Sequence, residues 1–448
     1  MNAMHTTQNA VHCLLKISKI LGTAPISFED NKGKYVVSSG CKCYSTLMAS
    51  LILILVTCGA ATRLSQLTGI MDDVVLRIDT YNILLGVVTA IFLMLRSVTL
   101  KQRYVDIWCM NLLSVDIFLY RNNEPEYFKI SRLVRRMLFG VVLISFIIYS
   151  GFILIPEYRF QFDLLIPLYF CFGLRNIVVL QFFTFNVVLY RRFLYLNKRL
   201  LEIFCFRSEC DLDRIISLLL KANTRNYISV FPHQLRSKDS CHLSLRERLE
   251  YRLTPNMRFP TQMTLKLKGC VPISHIQKVH CLLHDMARYV TAGFGVQIVI
   301  EVTFSFFNVV VNTYILVARL LQKEVVSCGQ PAGMILMDCL PWLLMSASRL
   351  VLIACSSEAV AEQSNRMLEL VNKLLLVLPQ GDYEHHTALQ KFARQLHYNR
   401  LSYSAARLFT IDRSLVTSCV ATITTYLVIL IQFSMAKITV QQNNKYSC

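Results

Sequence analysis

Apolar runs, each about as long as a membrane span, alternate along this chain with segments rich in Lys and Arg. A hydrocarbon core of about 30 Å takes roughly 20 helical residues to cross. Seven segments reach that length, so the pattern predicts seven transmembrane helices. They lie at 44–62, 76–98, 137–155, 164–190, 289–317, 332–355 and 414–436.

Basic residues between the spans set the expected orientation. Lys and Arg number 5 in 1–43, 7 in 99–136, 18 in 191–288 and 7 in 356–413, whereas the alternate loops hold few. Because Lys and Arg accumulate in cytoplasmic loops, we expect the N-terminus in the cytoplasm and the C-terminus outside. This orientation is the reverse of that of a G-protein-coupled receptor.

Helical periodicity continues into the cytoplasmic segments. It predicts helices that extend spans four to seven and pack together, either within one subunit or between subunits. The fourth and fifth spans are longer than a bilayer requires, so we expect them to tilt or project. The polar segment 222–270 lacks periodicity and is predicted to be mobile or disordered. The periodic segments are 191–220, 273–290, 359–378 and 389–408.

Composition agrees with a polytopic all-α membrane protein. Hydrophobic residues make up 54% of the 448 positions and charged residues 17%. The net charge of +19 is explained by basic cytoplasmic loops, so we expect no nucleic acid partner. The sixteen cysteines are scattered without zinc spacing, and catalytic signatures are missing, so the sequence predicts neither an enzyme, a metal nor a cofactor.

Several spans carry polar or charged residues, which cost several kcal/mol when buried in hydrocarbon without a partner. Two interpretations stay open: a ligand pocket, or pairing that fixes helix packing. We expect Asp79 or Asp338 to offset Arg175, and the deeper Glu301 and Arg349 to form a structural pair. The orientation places eight residues in the outer halves of their spans: Asp79, Tyr81, Asn82, Arg175, Asn308, Asn312, Asp338 and Trp342.

The last span is unusual because polar residues interrupt a run that is otherwise apolar enough to cross a bilayer. On a helix, Thr425, Ile429 and Gln432 share one stripe, and Tyr426 begins the neighbouring one. One face can therefore be wet while the next packs against a partner, which suits a helix lining a pore. The neighbouring stripe continues through Leu430 and Phe433.

This segment, Thr425 to Phe433, resembles the signature of the insect gustatory receptors, which has Thr-Tyr, five apolar residues and then Gln-Phe. The segment from Arg407 to Asp412 resembles the short lead-in of that family. The resemblance covers about 40–435 and is strongest beyond residue 332. Features that resemble the fructose-type members are Ile166-Pro167, Arg191-Arg192-Phe193 and Trp342.

The resemblance implies a homotetrameric, tastant-gated, non-selective cation channel in the cell membrane of chemosensory neurons. One pore would be lined by the last span of each subunit, with Gln432 and Phe433 at the gate, Ile429 one turn inward and Thr425 on the same stripe. Expected partners are the tastant, membrane lipid, permeating cations and other gustatory receptors. The expected ligand-binding residues are Trp342, Asp338, Asp79, Asn82, Arg175, Asn308 and Asn312.

The same resemblance divides the chain by expected role. The order is a cytoplasmic N-terminal segment, a ligand domain of four spans, a cytoplasmic extension with its mobile loop, spans five and six, anchor helices, the pore helix and an extracellular tail. The corresponding boundaries are 1–43, 44–190, 191–288, 289–355, 356–413, 414–436 and 437–448.

The sequence leaves the ligand and one question of class open. Much buried polar surface suits a sugar or polyol, but Asp338 and Glu301 are charges not expected in a neutral-sugar pocket, so a bitter plant compound is the rival. A seven-span receptor coupled to a G protein is disfavoured by the loop charges. A small-molecule transporter is disfavoured because no internal repeat with broken helices is found.

Overall fold

The computed structural model describes the chain in separate stretches, and all structural statements below concern these. The described residues are 18–23, 26–29, 34–67, 73–98, 111–112, 114–116, 118–119, 132–133, 135–137, 139–140, 143, 162–204, 206, 208–218, 273–325, 332–377 and 383–446. The predicted mobile loop at 222–270 and most of the predicted third span at 137–155 lie outside them.

Long helices dominate the described residues. The longest contains 53 residues and would measure about 80 Å at 1.5 Å per residue, well beyond the thickness of a bilayer. In chain order the longer helices are α1 (Ser39–Leu67), α2 (Asp73–Val98), α3 (Phe162–Ile203), α4 (209–218), α5 (Ile273–Val325), α6 (Ala332–Val377), α7 (Tyr383–Tyr398) and α8 (Arg413–Tyr446). Shorter helical stretches are described at 18–20 and within 111–119 and 132–143.

Six of the seven predicted spans coincide with described helices, namely α1, α2, α3, α5, α6 and α8. Four described helices are long and apolar enough to cross a membrane, within the segments Ser39–Gly59, Cys171–Ile203, Ile273–Val317 and Cys339–Val377. Two shorter apolar helical stretches, Thr80–Arg96 and Arg413–Ile429, belong to α2 and α8. The predicted helix over 273–290 is confirmed, because α5 begins at Ile273. The predicted helix over 191–220 is confirmed in part, because α3 ends at Ile203 and a separate helix occupies 209–218.

The prediction of an all-α chain was wrong in two places. Strand β1 (Ile26–Glu29) pairs antiparallel with β2 (Lys34–Val37), and Ile26 lies opposite Val37. A second, smaller hairpin joins β3 (Ser404–Ala405) to β4 (Phe409–Thr410). The structure is therefore mostly helical with two short β-hairpins.

The predicted helix over 389–408 was also wrong beyond its first half. Helix α7 ends at Tyr398, and the chain then forms what we call the linker hairpin, residues 401–412. Leu401, Tyr403 and Ala405 are buried at every second position, as in a strand rather than a helix. The turn places Ala406 at φ 48° and Arg407 at φ 64°, in the left-handed region, which a continuing α-helix cannot accommodate.

Two compact units can be recognised, and α3, α5 and α6 contribute residues to both. The first unit takes in 1–195, 279–365 and 400–448, and the second takes in 196–278 and 366–399. In the first unit, α1, α2, α3 and α5 share an apolar core. Its buried residues include Val56, Val87, Ala90, Met94, Cys171, Phe172, Leu174 and Phe304, with Trp342 packed against them.

The second unit is built from the ends of the long helices together with α4 and α7. Helix α7 buries Leu389, Phe392 and Leu396 on one face, as its amphipathic sequence requires. Glu209 accepts hydrogen bonds from Arg366 at 2.5 Å and from Lys373 at 3.1 Å. The predicted helical extensions thus pack together within one chain.

Candidate ligand site and pore helix

A bidentate ion pair between Arg175 of α3 and Glu301 of α5 lies in the first unit. Arg175 donates from Nε to Oε1 at 2.8 Å and from Nη2 to Oε2 at 2.9 Å, and both side chains are wholly buried. The guanidinium carbon also lies 3.5 Å from the ring centroid of Phe304. This pairing corrects one expectation, because Glu301 pairs with Arg175 and not with Arg349. The expected contribution of Asp79 or Asp338 stays a prediction.

Arg349 of α6 is buried beside this pair. Its Nη2 donates to Ser346 Oγ at 2.9 Å, and its guanidinium carbon lies 5.8 Å from the ring centroid of Phe172. Its Nε and Nη1 have no hydrogen-bond partner among the described residues, and neither has Nη1 of Arg175. The pair that the sequence suggested for Arg349 is therefore replaced by a single neutral contact.

Side-chain amides from α2 and α5 meet beside Ser346, which stands one helical turn before Arg349 on α6. Asn82 of α2 donates to Asn308 Oδ1 of α5 at 2.9 Å, and Asn312 donates to the same oxygen at 2.7 Å. Asn308 in turn donates to Ser346 Oγ of α6. We call Asn82, Asn308, Asn312 and Ser346 the amide cluster. It joins three helices and ends on the hydroxyl that Arg349 contacts.

Aromatic rings line the charged residues. Trp342 packs against Phe172 with ring centroids 4.3 Å apart, and Phe172 meets Phe304 edge-on at 6.4 Å. Sequence reasoning missed both phenylalanines because apolar residues in a span carry no signal of their own. A signal existed in the spacing, since each stands three residues from a charged residue on its helix, Arg175 or Glu301.

The structure thus brings together Asn82, Arg175, Asn308, Asn312 and Trp342 of the predicted ligand-binding set. It adds Glu301, Ser346, Arg349, Phe172 and Phe304 to that neighbourhood. Tyr81 is 70% exposed and points away from this interior. The side chains of Asp79 and Asp338 lie outside the described residues.

A second buried ion pair fixes the far end of the same helix. Arg192 of α3 donates from Nε and Nη2 to the two carboxylate oxygens of Asp116 at 2.8 and 3.0 Å. Its Nη1 donates to the carbonyl of Val188 at 2.9 Å. Because both carboxylate oxygens are hydrogen-bonded to Arg192, we assign this pair a structural role in helix packing.

The linker hairpin is held by contacts with three helices. Asn365 of α6 donates to the carbonyl of Leu401 and accepts from its N–H, both at 3.0 Å, as a neighbouring strand would. Tyr403 packs against Phe182 of α3, and burial raises the pKa of its phenol. On α5, a Cβ at Gly295 would stand only 3.0 Å from the backbone nitrogen of Ala406. Glycine is needed there for close approach.

Helix α8 begins directly after this hairpin with a polar cap. Asp412 accepts from the N–H of Leu415 at 3.3 Å and from Ser414 Oγ, and these hydrogen bonds lower the pKa of its carboxyl. Glu358 of α6 accepts from the N–H of Arg413 at 3.1 Å and pairs with its guanidinium at 3.0 Å. Two carboxylates thus satisfy orphan N–H groups at the start of α8.

The side chains of α8 are open to their surroundings within one chain. Tyr426, Val428 and Ile429 are 52%, 50% and 41% exposed, and Thr425 and Gln432 are exposed too. The hydroxyl of Thr425 donates to the carbonyl of Ala421 at 3.0 Å, so its polar group is satisfied inside the helix. The side chains of Leu430 and Phe433 lie outside the described residues.

Long apolar helices around a polar and charged interior indicate a helical membrane protein. The chain belongs to the 7tm chemosensory receptor family, whose model matches residues 11–437. The predicted resemblance to insect gustatory receptors is thereby confirmed at the level of the family, whereas the fructose-type branch stays a prediction.

Similar proteins agree with this membership. Putative gustatory receptor 28a of Drosophila melanogaster is 25% identical over 351 residues, covering 74% of this chain and 70% of that protein. Gustatory receptor 68a of the same fly is 24% identical over 161 residues, 36% of this chain and 40% of that receptor. The chain is therefore a chemosensory membrane receptor related to gustatory receptors.

Solved structures support the fold. The insect olfactory receptor OR5 from Machilis hrabei, in complex with eugenol, has a TM-score of 0.60 at 14% identity and covers 97% of this chain and 100% of its own. The same receptor described without eugenol has a TM-score of 0.59. At this identity the likeness speaks for the fold alone.

Proposed function

We propose that this chain is a gustatory receptor that acts as a tastant-gated, non-selective cation channel in the cell membrane of chemosensory neurons. The observation that carries the proposal is the open surface of α8. An apolar helix with an interrupting Gln432 and its large side chains exposed on several faces needs partners that one chain does not supply. Four copies, or copies mixed with other gustatory receptors, would enclose a pore with these faces.

The membrane arrangement of this channel follows from the loop charges. Seven spans with the N-terminus in the cytoplasm put Gln432 and Phe433 near the extracellular end of α8. Tags at each terminus, tested for antibody access in unpermeabilised cells, check this orientation. An N-terminal tag accessible from outside would refute it and would favour a receptor coupled to a G protein.

Gating in this proposal is a shift between closed and open populations. A tastant opens the pore only to the extent that it binds the open state more tightly than the closed one. The closed gate would be a ring of Ile429 and Phe433 that excludes water, with Gln432 beside it. The linker hairpin is the natural transmission element, because it contacts α3, α5 and α6 and leads directly into α8.

The tastant would bind in the outer half of the bundle, around Trp342, Arg175 and the amide cluster. Asp79 and Asp338 are further proposed ligand-binding residues. A sugar or polyol, as in the fructose-type branch, is supported by the number of buried polar groups. A bitter compound is supported by Asp338 and Glu301, which are charges not expected in a neutral-sugar pocket. Calcium imaging of cells that express this chain alone, against sugars, polyols and alkaloids, separates them.

The pore role is tested by replacing Gln432 with alanine. We expect Gln432→Ala to change the reversal potential in mixed cations, or the open probability, at unchanged surface expression, because the amide would face permeating ions. Gln390→Ala is the matched control, since Gln390 is exposed on α7, outside the proposed pore. Currents identical to the wild type in Gln432→Ala would remove this residue from the pore.

A further inference from the structure

Three guanidinium nitrogens in the interior of the first unit have no partner among the described residues. They are Nη1 of Arg175 and both Nε and Nη1 of Arg349. Arg175 is 0% exposed and Arg349 is 2% exposed, so bulk water does not reach these N–H donors. Buried N–H groups normally find an acceptor, because leaving one unpaired costs about 1–3 kcal/mol, and more when the group is charged.

The two arginines face the same aromatic ring, but only Arg175 pairs with Glu301. The guanidinium carbons of Arg175 and Arg349 each lie 5.8 Å from the ring centroid of Phe172. Glu301 gives both carboxylate oxygens to Arg175. Two cations against one carboxylate leave a net positive charge in a dry interior, which costs several kcal/mol unless a second anion is present.

Among the acids whose side chains the structure describes, the other buried or half-buried ones of the first unit are engaged elsewhere. Asp116 gives both oxygens to Arg192, and Glu358 binds Arg413. The missing negative charge is therefore one that a ligand can supply.

The surroundings indicate what carries that charge. Phe172, Phe304 and Trp342 pack together beside the two guanidinium groups, as ring distances of 4.3 and 6.4 Å show. A small inorganic ion would use the N–H groups alone. An organic molecule with an apolar body and one carboxylate would also pack against aromatic rings.

We propose that Arg349 and Arg175 bind the carboxylate of a small organic acid whose apolar body packs against Phe172 and Trp342. This assignment rests on the proposed function, in which the acid is the tastant. A neutral sugar leaves the positive charge uncompensated, and a protonated alkaloid is repelled by it. The acid is thus favoured over both ligand classes that the sequence left open.

Binding is tested on the purified full-length receptor in lipid nanodiscs by thermal unfolding, without reference to current. Benzoate and cinnamate are compared with benzamide and cinnamamide, which keep the ring and lose the charge. We expect the acids to raise the unfolding temperature in a saturable way. The apparent affinity for the amides should be at least about tenfold weaker than for the acids, because the amides cannot form a charge-assisted hydrogen bond. Equal effects of acid and amide overturn the proposal, whether or not any variant folds.

Variants then assign the site to its residues. Arg349→Gln is expected to remove the preference for benzoate over benzamide, while Arg349→Lys keeps the charge and retains the preference at reduced affinity. Arg199→Gln is the matched control, because Arg199 pairs with Glu202 on an exposed surface. An undiminished preference in a well-folded Arg349→Gln refutes the role of Arg349.

Two further arms separate this proposal from its rivals. Sodium chloride at equal ionic strength must not reproduce the effect of benzoate, since an equal effect would mean an inorganic anion site and overturn the organic acid. Currents are recorded in parallel. If acids stabilise the receptor but no current is recorded, the proposed channel function is refuted and the acid-binding site is supported. If other compounds open the channel and acids have no effect, the channel function is supported and the acid-binding site is refuted.

Discussion

At the scale of single residues, the partner of a buried charge determines whether that charge stabilises helix packing or is free to bind a ligand. Glu301 is the clearest example, because it is fully paired with Arg175. The sequence identifies Arg175, Glu301 and Arg349 as intramembrane charges but pairs Glu301 with Arg349 instead of with Arg175. Helical spacing fixes which residues share a face of one helix, whereas Arg175 and Glu301 are 126 positions apart on different helices. Which faces meet is a matter of packing.

The Arg175–Glu301 pair should behave as a coupled unit. We expect Glu301→Met to lower the free energy of unfolding by about 3–5 kcal/mol, because it leaves two buried guanidinium groups without a counter-ion. Arg175→Met should cost less, because the charge of Arg349 still offsets that of Glu301. The double variant Arg175→Met/Glu301→Met should be more stable than Glu301→Met, because it leaves one unpaired buried charge instead of two. Fluorescence-monitored thermal unfolding of the purified receptor measures this.

The control for that cycle is the exposed pair of Arg199 and Glu202, whose side chains are 43% and 40% exposed. Arg199→Met should change stability by less than about 1 kcal/mol, as surface ion pairs usually do. If the two single variants at the buried pair cost no more than this control, the pair contributes nothing through its charges.

The linker hairpin is the element that sequence periodicity misjudged. Apolar residues from Leu389 to Leu408 fit a helical repeat, yet only the part up to Tyr398 is helical. The remainder alternates between buried and open positions and turns at two left-handed residues, Ala406 and Arg407. Neither is a glycine or an asparagine, so the turn carried no compositional signal.

The fit of this hairpin against α5 depends on one glycine. We expect Gly295→Ala to destabilise the receptor by about 1–3 kcal/mol and to shift the dose–response curve, because its Cβ would press on the Ala406 backbone at 3.0 Å. Gly293→Ala, two residues away, is the control, since nothing lies within 4 Å of that Cβ. Equal behaviour of the two variants would disprove a close contact at Gly295.

The cap of α8 gives a second prediction for an element. Asp412→Ala should cost about 1 kcal/mol, whereas Asp412→Asn keeps an acceptor and should cost less. Hydrogen bonds lower the folded-state pKa of Asp412, so its carboxylate stabilises the fold above its unfolded pKa and that stability is lost as pH falls through the folded value. The difference between wild type and Asp412→Asn should stay constant from roughly pH 8 to pH 5, because the carboxyl stays ionised. A difference that shrinks within this range would contradict the ionised cap.

At the scale of the whole molecule, α8 exposes side chains that the other described helices do not cover. Helices α1, α2, α3 and α5 bury a shared core, while α8 leaves Val420, Tyr426 and Val428 at least half exposed. Lipid can cover apolar side chains but offers nothing to an amide such as Gln432. Association of several chains, as proposed above, would shelter both kinds of residue.

We therefore expect the purified receptor to have the protein mass of four chains in mild detergent, measured by light scattering that separates the detergent contribution. Tyr426→Lys should reduce that mass, because a buried unpaired charge would be placed between subunits. Leu376→Lys is the control, since Leu376 is 71% exposed in the second unit. A monomeric wild-type receptor would refute the tetramer.

The sequence by itself determined the helical membrane class, six spans that coincide with described helices, and the family, whose signature lies at Thr425 to Phe433. These depend on local properties, namely apolar length, loop charge and a contiguous motif. Tertiary structure alone decided that Glu301 belongs to Arg175, that Arg349 keeps unpaired N–H groups, and that residues 401–412 form a hairpin clasped by Asn365 and Gly295. The physical reason is that such contacts join residues far apart in the chain, and their energies depend on distances that no local pattern encodes.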